Sequence, residues 1–387
     1  MKNISTLFII QLAVLTSMAQ AWTDLTDVPA KLTFPVCVVL NGNIHLIGGG
    51  AVGGATDLHL RYTVATDTWD TLAPVPYLAQ QPGGAATSGK IYYFGGGFPN
   101  SGTPLNAHFV YDPLTDSWDT AAGLPANRVI HEAMAIKDSI YVMGGQPDKL
   151  RFELYNTSAD SWSSLNNLPD QHFWYGAFAN LNDTIYRFGG GGFLSAQQTA
   201  QRYNVQSDAW VNLPQLPEDL HAPAAAAIGD SIYIVGGYNS FGESDRVWIY
   251  DVKAQTYQAG FNLPEVRNYH SLVSVGNCIY AIGGHDATVD KSIIRHCRGD
   301  SIDYTSVNQG SEVVSLGLYP NPVSSELNIR GLDAGKSYPY QIHDFQGRLV
   351  QAGQTGGSVD VSMLPTGLYL LHLSEGDVRR IGRFVKD

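Results

Sequence analysis

Arg128 with His131 and Arg267 with His270 form two Arg-x-x-His pairs, and Glu132 directly follows the first. A guanidinium and an imidazole side by side offer hydrogen-bond donors to a polar ligand. A carboxylate beside them adds a group that can give or take a proton. His172, Trp174, Tyr175 and His221 supply flat rings with polar edges. Such rings give large contact area at low entropic cost and suit recognition of protein or carbohydrate. The candidate ligand-binding set is Arg128, His131, His172, Trp174, Tyr175, His221, Arg267 and His270. The same Arg and His groups would serve equally well as internal bridges, because interior polar groups must find partners. Arg128 and Glu132 are weak candidates for catalysis, since one carboxylate near one arginine is most often a paired or solvated group.

Other chemistry is missing. No G-x-S-x-G, H-E-x-x-H or P-loop pattern occurs. Gly189–Gly192 lack the Lys-Ser/Thr of a phosphate cradle, and the eleven histidines are dispersed without metal-ligand spacing. No cofactor or metal is expected. The cysteines are Cys37, Cys278 and Cys297. If a hairpin turns between Gly283 and Lys291, Cys278 and Cys297 face each other across it, which predicts a disulfide in an oxidising compartment. Arg298–Asp300 spell an RGD tripeptide, too short to weigh against chance.

A repeat positions these residues. Glycine pairs begin at Gly48, Gly95, Gly144, Gly189, Gly236 and Gly283. An aromatic series runs Trp22, Trp69, Trp118, Trp162, Trp210 and Tyr257, and another Tyr62, Tyr111, Tyr155, Tyr203 and Tyr250. All three share a period of roughly 47 residues, and each period holds four strand-like runs. The turn between the first two runs recurs as Asn41-Gly42, Ser88-Gly89, Lys137-Asp138, Asn182-Asp183, Gly229-Asp230 and Gly276-Asn277. Asn, Asp and Gly tolerate the positive φ of two-residue hairpins. Four antiparallel strands per repeat are the signature of propeller blades. Trp22 opens a fourth-strand motif with no strands before it, while the last repeat lacks a fourth strand. The N-terminal strand is therefore expected to complete the last blade.

The motif IYxxGG, a Tyr-Asp/Asn pair, and Trp seven residues after the Tyr resembles the Kelch repeat over about residues 22–300. It departs at His45, His296 and Tyr257. The distance from Tyr to the following aromatic is constant. That from glycine pair to Tyr varies between 11 and 16 residues. Variation thus falls on the loop between the second and third strands, which shares a face with the fourth-to-first connection. Loops on a rigid scaffold carry binding. Phe98, Phe193, Tyr238 and Phe241 join the candidate set on that face, and the two Arg–His pairs lie opposite each other in the third and sixth blades. Two enzyme families share Kelch architecture. A copper site resembling that of galactose oxidase lacks a cysteine in a suitable loop. A resemblance to sialic-acid epimerases would cast Glu132 as acid or base.

The net charge of −12, with no Lys/Arg cluster in the propeller region, excludes nucleic acid and anionic membranes as natural partners. Residues 1–21 read as a signal peptide: Lys2, an apolar stretch from Leu7 to Leu15, and Ala19-Gln20-Ala21 as cleavage site. No other stretch would cross a membrane as a helix, so no integral membrane protein is expected. After a polar linker at 301–312 the pattern changes. YPNP at Tyr319–Pro322, the turn Asp344–Arg348, LPTGLY and the basic RRIGRFVK resemble the type IX (Por) secretion C-terminal sorting domain over residues 313–387. Under that resemblance Arg379, Arg380, Arg383 and Lys386 bear on sorting. Otherwise they are solvated edge charges. The expected architecture is all-β: a six-bladed Kelch-type propeller over residues 22–300 and a small antiparallel β-sandwich. The expected role is an exported, secreted or surface-attached binding protein for a glycan or protein, handled by the type IX machinery. A carbohydrate-modifying enzyme is the less favoured class.

Overall fold

The computed structural model describes residues 22–51, 54–98, 103–170, 175–191, 196–286, 288–298, 313–330, 332, 335–344, 349–375 and 378–387. The signal-peptide and linker assignments, and His172, Trp174 and Phe193, lie outside them. Within the described residues every regular element is a strand.

Residues 22–298 hold six four-stranded antiparallel sheets. In the first, Val36–Leu40, Asn43–Ile47, His59–Thr63 and Thr68–Thr71 run in order from inside to outside. Each sheet's inner strand neighbours the next, and Ser271–Val275 of the sixth neighbours Val36–Leu40 of the first, so the sheets close into a ring. Burial follows position in the blade. Second strands such as Lys90–Phe94 and Thr184–Phe188 are covered on both faces by adjacent sheets. They accordingly read as near-continuous apolar runs. Outer strands such as Ser117–Thr120 are solvent-facing except for the Trp.

The Tyr…Asp…Trp spacing stitches neighbouring sheets together. Tyr111 Oη donates to Asp116 Oδ1 (2.8 Å), the same carboxylate accepts from Ala73 N of the preceding sheet's exit (3.0 Å), and Trp118 Nε1 donates to Ala73 O (2.9 Å). Tyr155, Asp160 and Trp162 repeat this against Ala122. These bonds hold the Asp116 and Asp160 carboxyls below the usual carboxylate range. In the fifth sheet Tyr257 replaces Trp, and its Oη donates to Pro214 O (2.8 Å), so the departure keeps the bond.

In three of the glycine pairs a Cβ would strike a neighbouring ring, the Tyr93 hydroxyl at Gly48, His131 at Gly95 (2.6 Å) and His270 at Gly236 (3.0 Å). Gly145, at φ +93°, would meet Val129 O at 2.8 Å, and Gly237 would meet His221 O at 2.8 Å. Close approach of backbone to backbone, together with positive φ, is what requires glycine there.

Thr23 and Asp24 pair with Arg295 and Ile294 on the outer edge of the sixth sheet. Trp22 Nε1 donates to Phe261 O (3.1 Å). In the same sheet Cys278 and Cys297 are cross-strand partners joined by a disulfide, and Cys37 is free.

Residues 313–387 form a five-stranded and a three-stranded sheet around a shared core that includes Leu327, Ile342, Val359, Leu371 and Phe384. This sandwich is not wholly antiparallel: Val313–Ser315 runs parallel to Val378–Lys386. The basic strand lies between Val313–Ser315 and Gly367–Glu375 rather than at an edge, and Lys386 is buried. A solvated edge charge therefore does not describe Lys386.

Candidate ligand-binding site at the channel mouth

The chain reaches each inner strand through one residue of positive φ. These are Phe34, Gln81, Ile130, Tyr175, Ala222 and Tyr269, with φ between 50° and 55°. Left-handed geometry at a non-glycine residue costs on the order of 1 kcal/mol and persists where the surroundings impose it. Here the imposition is visible. The preceding residue bridges to the glycine loop of its own sheet, as Thr33 does to Gly50, Gln80 to Gly97 and His221 to Tyr238. The residue itself bonds round the ring: Ile130 N donates to Gln81 O, Ala222 N to Tyr175 O, and Tyr269 N to Ala222 O. The six side chains are thereby gathered at one end of the channel, on the face of the variable loops.

Three of them are aromatic and meet across the mouth. Ring centroids lie 5.2 Å apart for Phe34–Tyr269 and for Tyr175–Tyr269, and 6.3 Å for Phe34–Tyr175, although Phe34 and Tyr175 come from opposite sheets. Gln81 Nε2 donates to Tyr175 Oη (3.3 Å). His221 Nδ1 donates to Gly191 O (2.5 Å), which leaves Nε2 to accept from the Tyr269 hydroxyl (2.7 Å). This fixes the tautomer, and burial lowers the His221 pKa, so the ring works as a neutral brace.

Behind the aromatic rings lies a cavity of about 240 Å³ lined by the starts of the six inner strands. The first residues of those strands are Val36, Gly83, Glu132, Ala177, Ala224 and Ser271, each at the same register opposite the residue before a glycine pair. Glu132 is the one charged residue in that layer. It keeps some surface open to the cavity but is surrounded by the ring, and burial pushes its carboxyl up to about 7.

The remaining candidates turn inward. Arg128 is 2% exposed and pairs with Glu153, itself 1% exposed, at 2.5 Å, while also donating to Val142 O. Arg267 pairs with Asp290 (2.9 Å) and donates to Gly283 O (2.8 Å). His131 and His270 are buried, His131 stacked on Phe94. Burial pushes both imidazoles far below their ordinary pKa, His270 to about 3. Arg128, Arg267, His131, His221 and His270 are therefore internal bridges and cavity wall rather than an exposed patch. Arg128, committed to Glu153, shows no bond to Glu132, so the two catalytic candidates do not form a pair. Tyr175 alone of the described set stands in the mouth. Phe98 and Phe241, 51% and 99% exposed, are presented on the outer loops. Among the described residues no cluster of His, Cys, Asp or Glu could hold a metal.

The sequence reading missed Phe34, Tyr269, Gln81 and Glu153. The first three had a signal: each positive-φ residue lies fourteen positions before its glycine pair. Glu153 is a carboxylate where the other third strands carry Leu60, Phe109, Gln201, Trp248 and Ile294.

Residues 130–297 match the KLHDC2/KLHL20/DRC7 Kelch-repeats domain, and residues 317–387 match the secretion system C-terminal sorting domain. The chain carries Kelch repeats. The sorting domain marks it for type IX export to the cell surface or medium. It is similar to Kelch-like protein terF of Aspergillus terreus, 29% identical over 227 residues, which are 49% of this chain and 49% of that protein. Beta-scruin of Limulus polyphemus is 24% identical over 225 residues, 54% of this chain and 24% of the relative. The chain thus spans half or less of the curated relatives it matches. A solved structure titled "Structure of YjhT" superposes with a TM-score of 0.60 at 17% identity, over 70% of this chain and 96% of that one, which shows a shared fold. Among the described residues no helix is long and apolar enough to cross a membrane.

Proposed function

We propose that this exported Kelch propeller is a recognition protein, released or surface-attached after type IX secretion, that takes a glycan or a protein partner over its channel mouth. The supporting observation is the convergence of Phe34, Tyr175 and Tyr269 from three sheets onto one opening, on a backbone ring that fixes them in place. Rigid aromatics of this kind dominate contact energy because little entropy is lost when they are covered. The acidic surface favours neutral or basic partners over anionic ones. The test is binding of the full chain to a glycan array and to surface extracts, with Tyr175→Ala and Tyr269→Ala beside it. Both substitutions keep a non-glycine residue at positive φ, so the ring is preserved. A partner retained by the wild type and lost by both variants supports the reading. Undiminished binding by both variants refutes it.

A second reading, a sugar-modifying enzyme resembling the sialic-acid epimerases, rests on Glu132 in the cavity. Its near-neutral carboxyl suits proton transfer, but Arg128 is engaged elsewhere.

A further inference from the structure

We infer that the cavity behind the aromatic triad is a binding site for an organic ammonium group, with Glu132 as its counter-ion and Phe34, Tyr175 and Tyr269 as the rings over it. The inference deepens the recognition reading at the same mouth, by naming the chemical class of the group that enters. At about 240 Å³ the cavity falls below the usual size of a drug-like pocket, so it admits a head group rather than a whole sugar chain. Among the described residues the Glu132 carboxyl has no ion-pair or hydrogen-bond partner. A carboxylate placed in a layer of Val, Gly, Ala, Ala and Ser is otherwise an unreturned cost of folding, since buried charges are ordinarily paired. The two nearby arginines do not supply the missing cation. Arg128 and Arg267 are turned to Glu153 and Asp290.

The other titratable groups lining the cavity stay uncharged around neutrality. Cys37 on the first inner strand is pushed up to about 12 by burial, despite a hydrogen bond from Ser271. Tyr269 is raised to about 12 and Tyr175 is raised, both by burial. His131 and His270, on the third and sixth sheets, are held neutral. Among the described residues Glu132 therefore carries the one charge facing the cavity, and that charge is negative. Aromatic faces attract cations through their quadrupole, most strongly where water is excluded. An anionic wall, three aromatic rings in the lining and, among the described residues, no competing cation define an ammonium site by chemistry, and the acidic protein draws cations toward it.

A free quaternary amine and a lysine side chain share this chemistry. Tetramethylammonium stands for the first and Nα-acetyl-lysine amide for the second. Each is titrated into the full chain by calorimetry at constant ionic strength, with sodium as the matched control cation. Saturable binding of either probe, and not of sodium, is the expected result, and the tighter probe names the source. Glu132→Gln should weaken it on the order of thirtyfold or more. Glu132 binds the cation only when ionised, so wild-type affinity should fall about tenfold per unit as pH drops below 7, and the variant should show no such slope. Absence of binding by both probes to the folded wild type overturns the inference, as does a Glu132→Gln variant that binds equally well. Neither outcome touches the macromolecular reading, which Tyr175→Ala and Tyr269→Ala test separately. Tryptophan fluorescence of each variant, matched to wild type, establishes that the ring is intact.

Discussion

Replacing Cys278 and Cys297 together by Ala should destabilise the propeller by roughly 3 kcal/mol. The bridge spans 19 positions of sequence, and loop-closure entropy for a loop of that length is worth about 3 kcal/mol at 25 °C in the unfolded-chain account. The native side adds little to this figure, because the two cysteines already face each other in register across paired strands. The loss should appear in one place. Ile293–Cys297 is the strand on which Thr23 and Asp24 close the ring, so the variant should exchange amide hydrogens faster there than in the other sheets. All seven tryptophans precede residue 249, so guanidinium unfolding followed by tryptophan fluorescence reports the propeller without the C-terminal domain. Reductant should move the wild type to the variant's midpoint and leave the variant unmoved. A loss below about 0.5 kcal/mol, or exchange accelerated equally in all six sheets, would refute the reasoning.

Glu153→Gln should cost about 3–5 kcal/mol, because it leaves Arg128 buried without a counter-charge. Arg128→Met with Glu153→Leu should recover most of that loss in the same unfolding assay. Stability should also fall as pH drops below 6.5. His45, His59 and His270 have folded pKa values lowered by burial to about 3, 4 and 3, while the unfolded chain protonates them near 6.5. The unfolded state then binds more protons. Each imidazole contributes about 1.4 kcal/mol per pH unit between its unfolded and folded pKa, and the contribution is fully present only above the former. Urea midpoints that stay constant from pH 7 to pH 5 would contradict this.

The ring of sheets was legible because its determinants are local and repeated. Glycine pairs, hairpin turns and the Tyr-to-Trp interval state the strand boundaries in every period. Trp22 gave the closing strand because an outer-strand motif without preceding strands has one place to go. The site was harder to see. Arg128, His131, Arg267 and His270 looked like ligand groups because sequence does not show which side of a turn faces solvent. The structure buries all four, with Arg128 on Glu153, Arg267 on Asp290, and His131 and His270 in the cavity wall. Phe34 and Tyr269 passed unnoticed because a left-handed residue other than glycine has no sequence signature in a single repeat. Their fixed offset from the glycine pairs becomes meaningful only when all six repeats are laid together. In the C-terminal domain the short parallel strand was missed for a similar reason. Parallel pairing joins segments distant in sequence and leaves no turn residue to announce it.

Closure through Thr23 and Asp24 ties the two ends of the propeller sequence into one sheet. No partial chain can therefore finish the ring. Until Ile293–Cys297 is available, the sixth sheet has no outer half and Thr23 and Asp24 have no strand to pair with. Such high contact order slows folding and leaves strand edges open for longer. A chain released in order from its N-terminus can clasp its ring shut only after the whole repeat array has emerged.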